Sequence, residues 1–130
     1  MVRFLSEAWL DEMAAAVRAV SEPTRADGGV PPLVVRQQVT GGPDGDIAYD
    51  LCLDDDGVTL RRPASGIADV VFEQDHETAR RLAQGETHPQ IELTAGRLRI
   101  SGAANRLTAW RPMLDEMDEA MTDLRAVTTW

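Results

Sequence analysis

The chain has a single cysteine, Cys52, so no disulfide can form within it. That fits a reducing compartment. No stretch free of polar residues approaches the length needed to span a bilayer, which argues against an integral membrane protein. The amino-terminal MVRFLSEAWLDEM carries Glu7, Asp11 and Glu12 and lacks the uninterrupted apolar core of a signal peptide. The final AVTTW matches no retention or lipidation tail. These features lead to the expectation of a cytoplasmic protein. Positive charge is also scarce: 13 Lys and Arg stand against 22 Asp and Glu, a net charge of −9. Such a surface repels phosphate backbones, so nucleic acid is not expected as a partner, and anionic membrane surfaces are disfavoured.

Motifs that announce chemistry are absent too. There is no G-x-S-x-G elbow, no G-x-x-x-x-G-K-[ST] loop and no G-x-G-x-x-G fingerprint. The acidic run Asp54 to Gly57, with Asp44 and Asp46 nearby, lacks the spacing and distal glutamate of a calcium loop, and reads as a solvated hairpin turn. His76-Glu77 resembles half of a zinc-protease helix, but position 80, where the second histidine belongs, is Arg80. Two histidines, His76 and His88, cannot complete a three-ligand zinc site, so no metal and no cofactor is expected. Cys52 alternates with Leu51 and Leu53 on a strand, which points it to the outer face and favours an inert thiol.

What the chain does have is 130 residues with 43% hydrophobic content, enough for one domain with a core over residues 1–130. Leu5, Trp9, Met13, Ala16 and Val20 recur at helical spacing, predicting a helix over 3–20. The stretch SEPTRADGGVPP, Ser21 to Pro32, is a loop by its prolines and glycines. Strands follow at Leu33 to Thr40, Asp46 to Asp54 and Gly57 to Arg62. In the second of these Ile47, Tyr49, Leu51 and Leu53 share a face. The linkers GGPDG and DDDG have hairpin chemistry, predicting an antiparallel meander. A fourth strand spans Ala68 to Gln74.

Helical patterns come next. Asp75 is placed to cap a helix ending at Gln84, with Gly85 closing it. Thr87 and Gln90 have capping-box spacing for a second short helix ending at Gly96, with Pro89 in its first turn. A fifth strand, Arg97 to Ser101, directs Leu98 and Ile100 one way and its arginines the other. Leu107, Trp110, Leu114, Met117, Met121 and Leu124 then form one helical seam, starting afresh at Pro112. The expected architecture is α+β: five mostly antiparallel strands with helices packed on one face. Large or flexible apolar residues gather on those elements, among them Trp9, Phe72, Trp110, Met113 and Met117. Methionine-rich surfaces adapt to varied apolar partners, although such stripes also serve as plain core.

The stretch FEQDHETARRLAQGETHPQIELTAGRLRISG, Phe72 to Gly102, resembles the middle of the sterol carrier protein type two family. The order matches: strand, capped helix, glycine, short helix, then Gly-Arg-Leu-Arg-Ile-Ser-Gly. GPDGDIAYDLCLDDDGV is similar to the family's second strand and turns, and the terminal helix with AVTTW resembles small actinobacterial members. The resemblance implies a sterol-carrier-like sheet with an apolar tunnel beneath the helices, holding a fatty acid, acyl-CoA or sterol-like lipid without catalysis. It implies that Leu98 and Ile100 form one wall and that the helix from Thr87 to Ala95 lies over or near it. The expected wall residues are Trp9, Phe72, Ile91, Leu93, Leu98, Trp110, Met113 and Met117. Glu92 and Thr94 depart from the family, in which larger apolar or small neutral residues are frequent, and a polar group lining an apolar cavity costs free energy unless paired.

Two alternatives stand beside lipid carriage. One is an interaction or accessory module with a closed core, pairing with its own copy as a homodimer or with a partner enzyme. The other is a small isomerase or cyclase acting on an apolar substrate, with His76, His88 or Glu92 as its titratable groups.

Overall fold

A two-residue strand, β1 (Val2–Arg3), turns into helix α1 (Glu7–Arg18). In this computed structural model residues 2–18, 32–43, 45–54, 57–62, 64 and 66–130 are described. The loop expected from Ser21 to Pro32 lies outside them except for Pro32. Helix α1 starts later than its periodicity predicts because Ser6 caps it. The Ser6 hydroxyl donates to the Arg3 carbonyl at 2.6 Å, and the Trp9 N–H donates to that hydroxyl at 3.2 Å. Trp9, Leu10, Met13 and Val17 form its buried stripe.

The strands β2 (Leu33–Gly42), β3 (Gly45–Asp54) and β4 (Gly57–Arg61) follow in sequence, and the hairpin turns expected between them include residues 44, 55 and 56, outside the described residues. Strand β5 (Val70–Asp75) follows, then helices α2 (His76–Gln84) and α3 (Pro89–Ala95), then strand β6 (Leu98–Gly102). The sheet order is β4-β3-β2-β5-β6. The β2–β5 pair at its centre is parallel and the other three pairs are antiparallel. The five-stranded, mostly antiparallel α+β architecture expected from the sequence is therefore present. The chain ends in a 3₁₀ segment (Ala104–Trp110), helices α4 (Arg111–Ala120) and α5 (Thr122–Ala126), and strand β7 (Thr128–Thr129). The fresh start expected at Pro112 appears as the beginning of α4, and a second break at Met121, not expected, separates α4 from α5.

Alternation assigns the two sheet faces. Leu33, Val35, Tyr49, Leu51, Leu53, Val58 and Val70 are buried on the helix side and pack with α1, Trp110, Met113 and Leu124. On the other face Arg36, Asp50 and Arg61 lie opposite one another across β2, β3 and β4. Asp50 is fully buried there, accepting from Arg36 Nε at 2.9 Å and Arg61 Nη2 at 2.7 Å. Arginine forks satisfy a carboxylate that would otherwise be costly to desolvate. All 13 cationic residues are arginine.

Caps position the pieces between β5 and β6. Asp75 accepts from the Thr78 N–H at 2.8 Å, and Gly85 closes α2 with φ +79°. The expected Thr87–Gln90 capping box does not form. His88 occupies the cap position of α3 without a side-chain hydrogen bond, and Thr87 instead donates to Glu92. Gly102 ends β6 with φ +88°, and a Cβ at that position would lie 2.2 Å from the Asp69 carbonyl oxygen. Finally, β1 and β7 pair in parallel, joining the two ends of the chain.

Candidate apolar cavity

The helices do not fill the inner face of the sheet. A cavity of about 330 Å³ lies between them. Its floor is two cross-strand rows. In one, Tyr49, Gln37 and Phe72 are in register; in the next, Val39, Gln74 and Leu98 are. Trp9 and Met13 of α1 and Leu114 and Met117 of α4 contribute the opposing wall. The chain ends close one side. Phe4 meets Trp9 edge to face, with ring centroids 5.1 Å apart, and lies 5.0 Å from Trp130. Trp9 Nε1 donates to Thr128 Oγ1 at 3.1 Å, which satisfies a buried indole and ties α1 to β7.

Charge is confined to the cavity rim. Arg125 pairs with Asp118, and its Nε donates to the Ala83 carbonyl at 2.9 Å, linking α5 to α2. Tyr49 is buried, and desolvation pushes its pKa up, so the phenol stays protonated. Among the described residues no group of three or more His, Cys, Asp or Glu could hold a metal ion. Nor, among the described residues, is any helix long and apolar enough to cross a membrane.

Of the residues expected on the wall, Trp9, Phe72, Leu98 and Met117 line this cavity. Trp110 and Met113 are each 1% exposed but sit in the packed core, away from it. The apolar residues of α4 divide between two neighbours, with Met113 going to the core and Leu114 and Met117 to the cavity. Ile91 and Leu93 stand outside altogether, 53% and 42% exposed. The reason is Glu92. It takes the inward position of α3, and at about 100° per residue its neighbours fall on the flanks. Its carboxylate accepts from Arg97 Nε at 2.6 Å, Arg81 Nη2 at 3.0 Å and Thr87 Oγ1 at 2.8 Å. The Arg97 guanidinium and the Thr87 hydroxyl hold its pKa down to about 2. Glu92 therefore ties α3 to α2 and to Arg97, just ahead of β6, and does not line this cavity, and Thr94 is exposed. His88 is exposed as well, and His76 rests against Phe4 with ring centroids 5.5 Å apart.

Several lining residues were not nominated from the sequence: Phe4, Gln37, Tyr49, Gln74, Leu114 and Trp130. For the glutamines a signal existed. Gln37 falls on the face of Leu33, Val35 and Val39, and Gln74 on that of Val70 and Phe72, so period-two alternation puts both amides on the apolar side.

A conserved hypothetical protein of Thermus thermophilus, described as a possible sterol carrier protein, superposes with a TM-score of 0.68 at 20% identity. The match covers 100% of this chain and 93% of that one. The chain has the sterol carrier protein fold. A crystal structure of sterol carrier protein 2 gives a TM-score of 0.64 at 21% identity, over 91% of this chain and 96% of that one. The palmitated sterol carrier protein 2-like 2 of Aedes aegypti gives 0.56 at 14% identity, over 91% and 96%. No protein-family model and no curated protein sequence matches the chain. In this sterol-carrier fold the cavity lies between the helices and the apolar face of the sheet.

Proposed function

We propose that this protein binds one apolar, lipid-like ligand in the cavity and carries it without chemical change. The observation that carries this reading is the cavity itself: about 330 Å³, walled mainly by aromatic, methionine and aliphatic side chains. That volume falls at the lower end of the range of small-molecule pockets and suits a slender chain. Burial of apolar area supplies the driving force, at roughly 25 cal/mol per Å² before the costs of association. The palmitated relative with the same fold supports a fatty-acyl class of ligand.

Carriage is favoured over catalysis by where the titratable groups lie. His76, His88 and Glu92 do not line the cavity, and the ion pair at its rim is self-neutralised. Neither cofactor nor metal enters the proposal. The protein would work in the cytoplasm as a single binding domain over residues 1–130. A second copy or a partner enzyme would serve to receive the ligand.

Displacement of a neutral fluorescent apolar probe from lipid-stripped protein tests this. The wild type should take up the probe and release it to an unlabelled long-chain lipid. Met117→Trp, which fills the cavity from α4, should weaken uptake at least 10-fold while the protein stays folded. Absence of uptake by the wild type, or equal uptake by the filled variant, would refute the proposal.

A further inference from the structure

The cavity floor has a polar spot that a plain hydrocarbon would leave unsatisfied. Gln37 of β2 and Gln74 of β5 both point to the apolar side of the sheet, and both line the cavity. Gln74 Nε2 donates to Gln37 Oε1 at 2.8 Å. Among the described residues this is the one side-chain hydrogen bond that either amide makes. An amide carries two donors and a two-lone-pair acceptor, so the pair retains an NH₂ and a C=O to offer. That holds whichever glutamine donates to the other. Tyr49, directly opposite Gln37 in register, adds a phenol that burial keeps protonated.

From this geometry we infer that the cavity selects apolar ligands bearing one neutral hydroxyl or carbonyl group, which sits on the Gln37–Gln74 pair. The inference rests on the ligand-carrying reading above and refines it. A carboxylate is not matched at this spot. The cation on the cavity lining, Arg125, is at the rim and already engages Asp118 and the Ala83 carbonyl. An ionised head group against two neutral amides would be desolvated without a counter-charge. A pure hydrocarbon would bury the free amide atoms without partners, which costs more than the hydrogen bond itself yields. A hydroxyl or carbonyl satisfies them and leaves the chain to the Trp9, Phe72 and Met117 walls.

The test is displacement of a neutral fluorescent apolar probe from lipid-stripped protein at pH 8 by tetradecane, tetradecanol and tetradecanoate. Tetradecanol should compete about 10-fold more strongly than tetradecane, the loss expected when a buried amide is left unpaired. Tetradecanoate should be no better than tetradecane through contacts at this spot. In the isosteric Gln37→Met/Gln74→Met variant the alcohol preference should vanish while tetradecane binding persists, so a folded variant is recognised by its retained binding. Equal competition by alcohol and alkane in the wild type would overturn the inference and leave ligand carriage standing. So would an alcohol preference that survives in the double variant, or a carboxylate that competes best. Failure of the probe and all three competitors to bind would instead overturn the carriage reading and this inference with it.

Discussion

Two leucines, both almost wholly buried, should differ in what their loss costs, because only one borders the cavity. Leu53 is 0% exposed, lies within the contiguous core and does not line the cavity; Leu98 is 1% exposed, lines it and falls outside that core cluster. Truncation of either to alanine removes three carbons, worth about 2.4 kcal/mol of lost transfer free energy. At Leu53 the truncation also opens a new void among close-packed neighbours. A void of about 70 Å³ adds about 1.7 kcal/mol at 24 cal/mol per Å³, giving about 4 kcal/mol in all. At Leu98 the vacated space merges with a cavity of about 330 Å³ that already exists. Atoms facing that cavity had no partners on one side, so fewer dispersion contacts are lost, and the expected cost is about 2 kcal/mol. For a chain of 130 residues, a gap near 2 kcal/mol corresponds to about 7 °C in Tm. Urea unfolding of lipid-stripped protein, followed by tryptophan fluorescence, reads the gap directly. Equal costs at the two positions would refute the reasoning, since they would mean that Leu98 is packed as tightly as Leu53. With a ligand bound, Leu98 gains a partner and the gap should narrow.

Other positions test other parts of the account. Glu92 has its pKa lowered to about 2. It therefore contributes stability fully above the ordinary carboxylate value, and that contribution is lost as pH falls through about 2. Glu92→Gln should be less stable than wild type at pH 7, and the difference should shrink as urea midpoints are taken down from pH 6 to pH 2. Parallel profiles would contradict the assignment. Gly102→Ala drives a Cβ to 2.2 Å from the Asp69 carbonyl oxygen, which is held by the Ala103 N–H at 2.8 Å. A loss above about 3 kcal/mol is expected. Gly85→Ala, with φ +79° and nothing within 4 Å, should cost only about 1 kcal/mol in the same thermal scan. Thr128→Val orphans the buried Trp9 indole and should cost about 1–3 kcal/mol, with Thr128→Ser restoring most of it.

The sheet was legible because its strands alternate cleanly and its turns carry glycine and aspartate. Asp75 and Gly85 marked α2 for the same local reason. The pairing of β1 with β7 was not legible, since two residues at each end carry no period and their contact spans nearly the whole chain. The glycines of LTAGRLRISG are explained by backbone geometry: Gly96 caps α3 with φ +80° and Gly102 turns out of β6 beside Asp69. Its first arginine, Arg97, pairs with Glu92, and that pairing misled the site assignment. Ile91 and Leu93 look like wall residues because they are the apolar residues of α3 and a charged Glu92 is costly to bury unpaired. Once Arg81, Arg97 and Thr87 satisfy the carboxylate, the charge turns inward and its apolar neighbours turn out. Trp110 and Met113 were misplaced for a smaller reason: apolar residue type and helical spacing do not say which residues meet the packed core and which meet a void.

The central claim is that the cavity takes an apolar ligand. Native mass spectrometry of the purified protein tests it most directly, followed by analysis of an organic extract of the same sample. The account predicts an added mass at near one-to-one occupancy that the extract identifies as an apolar molecule, or uptake of tetradecanol by protein purified empty. Protein that carries nothing and takes up neither tetradecanol nor a fatty acid would contradict it.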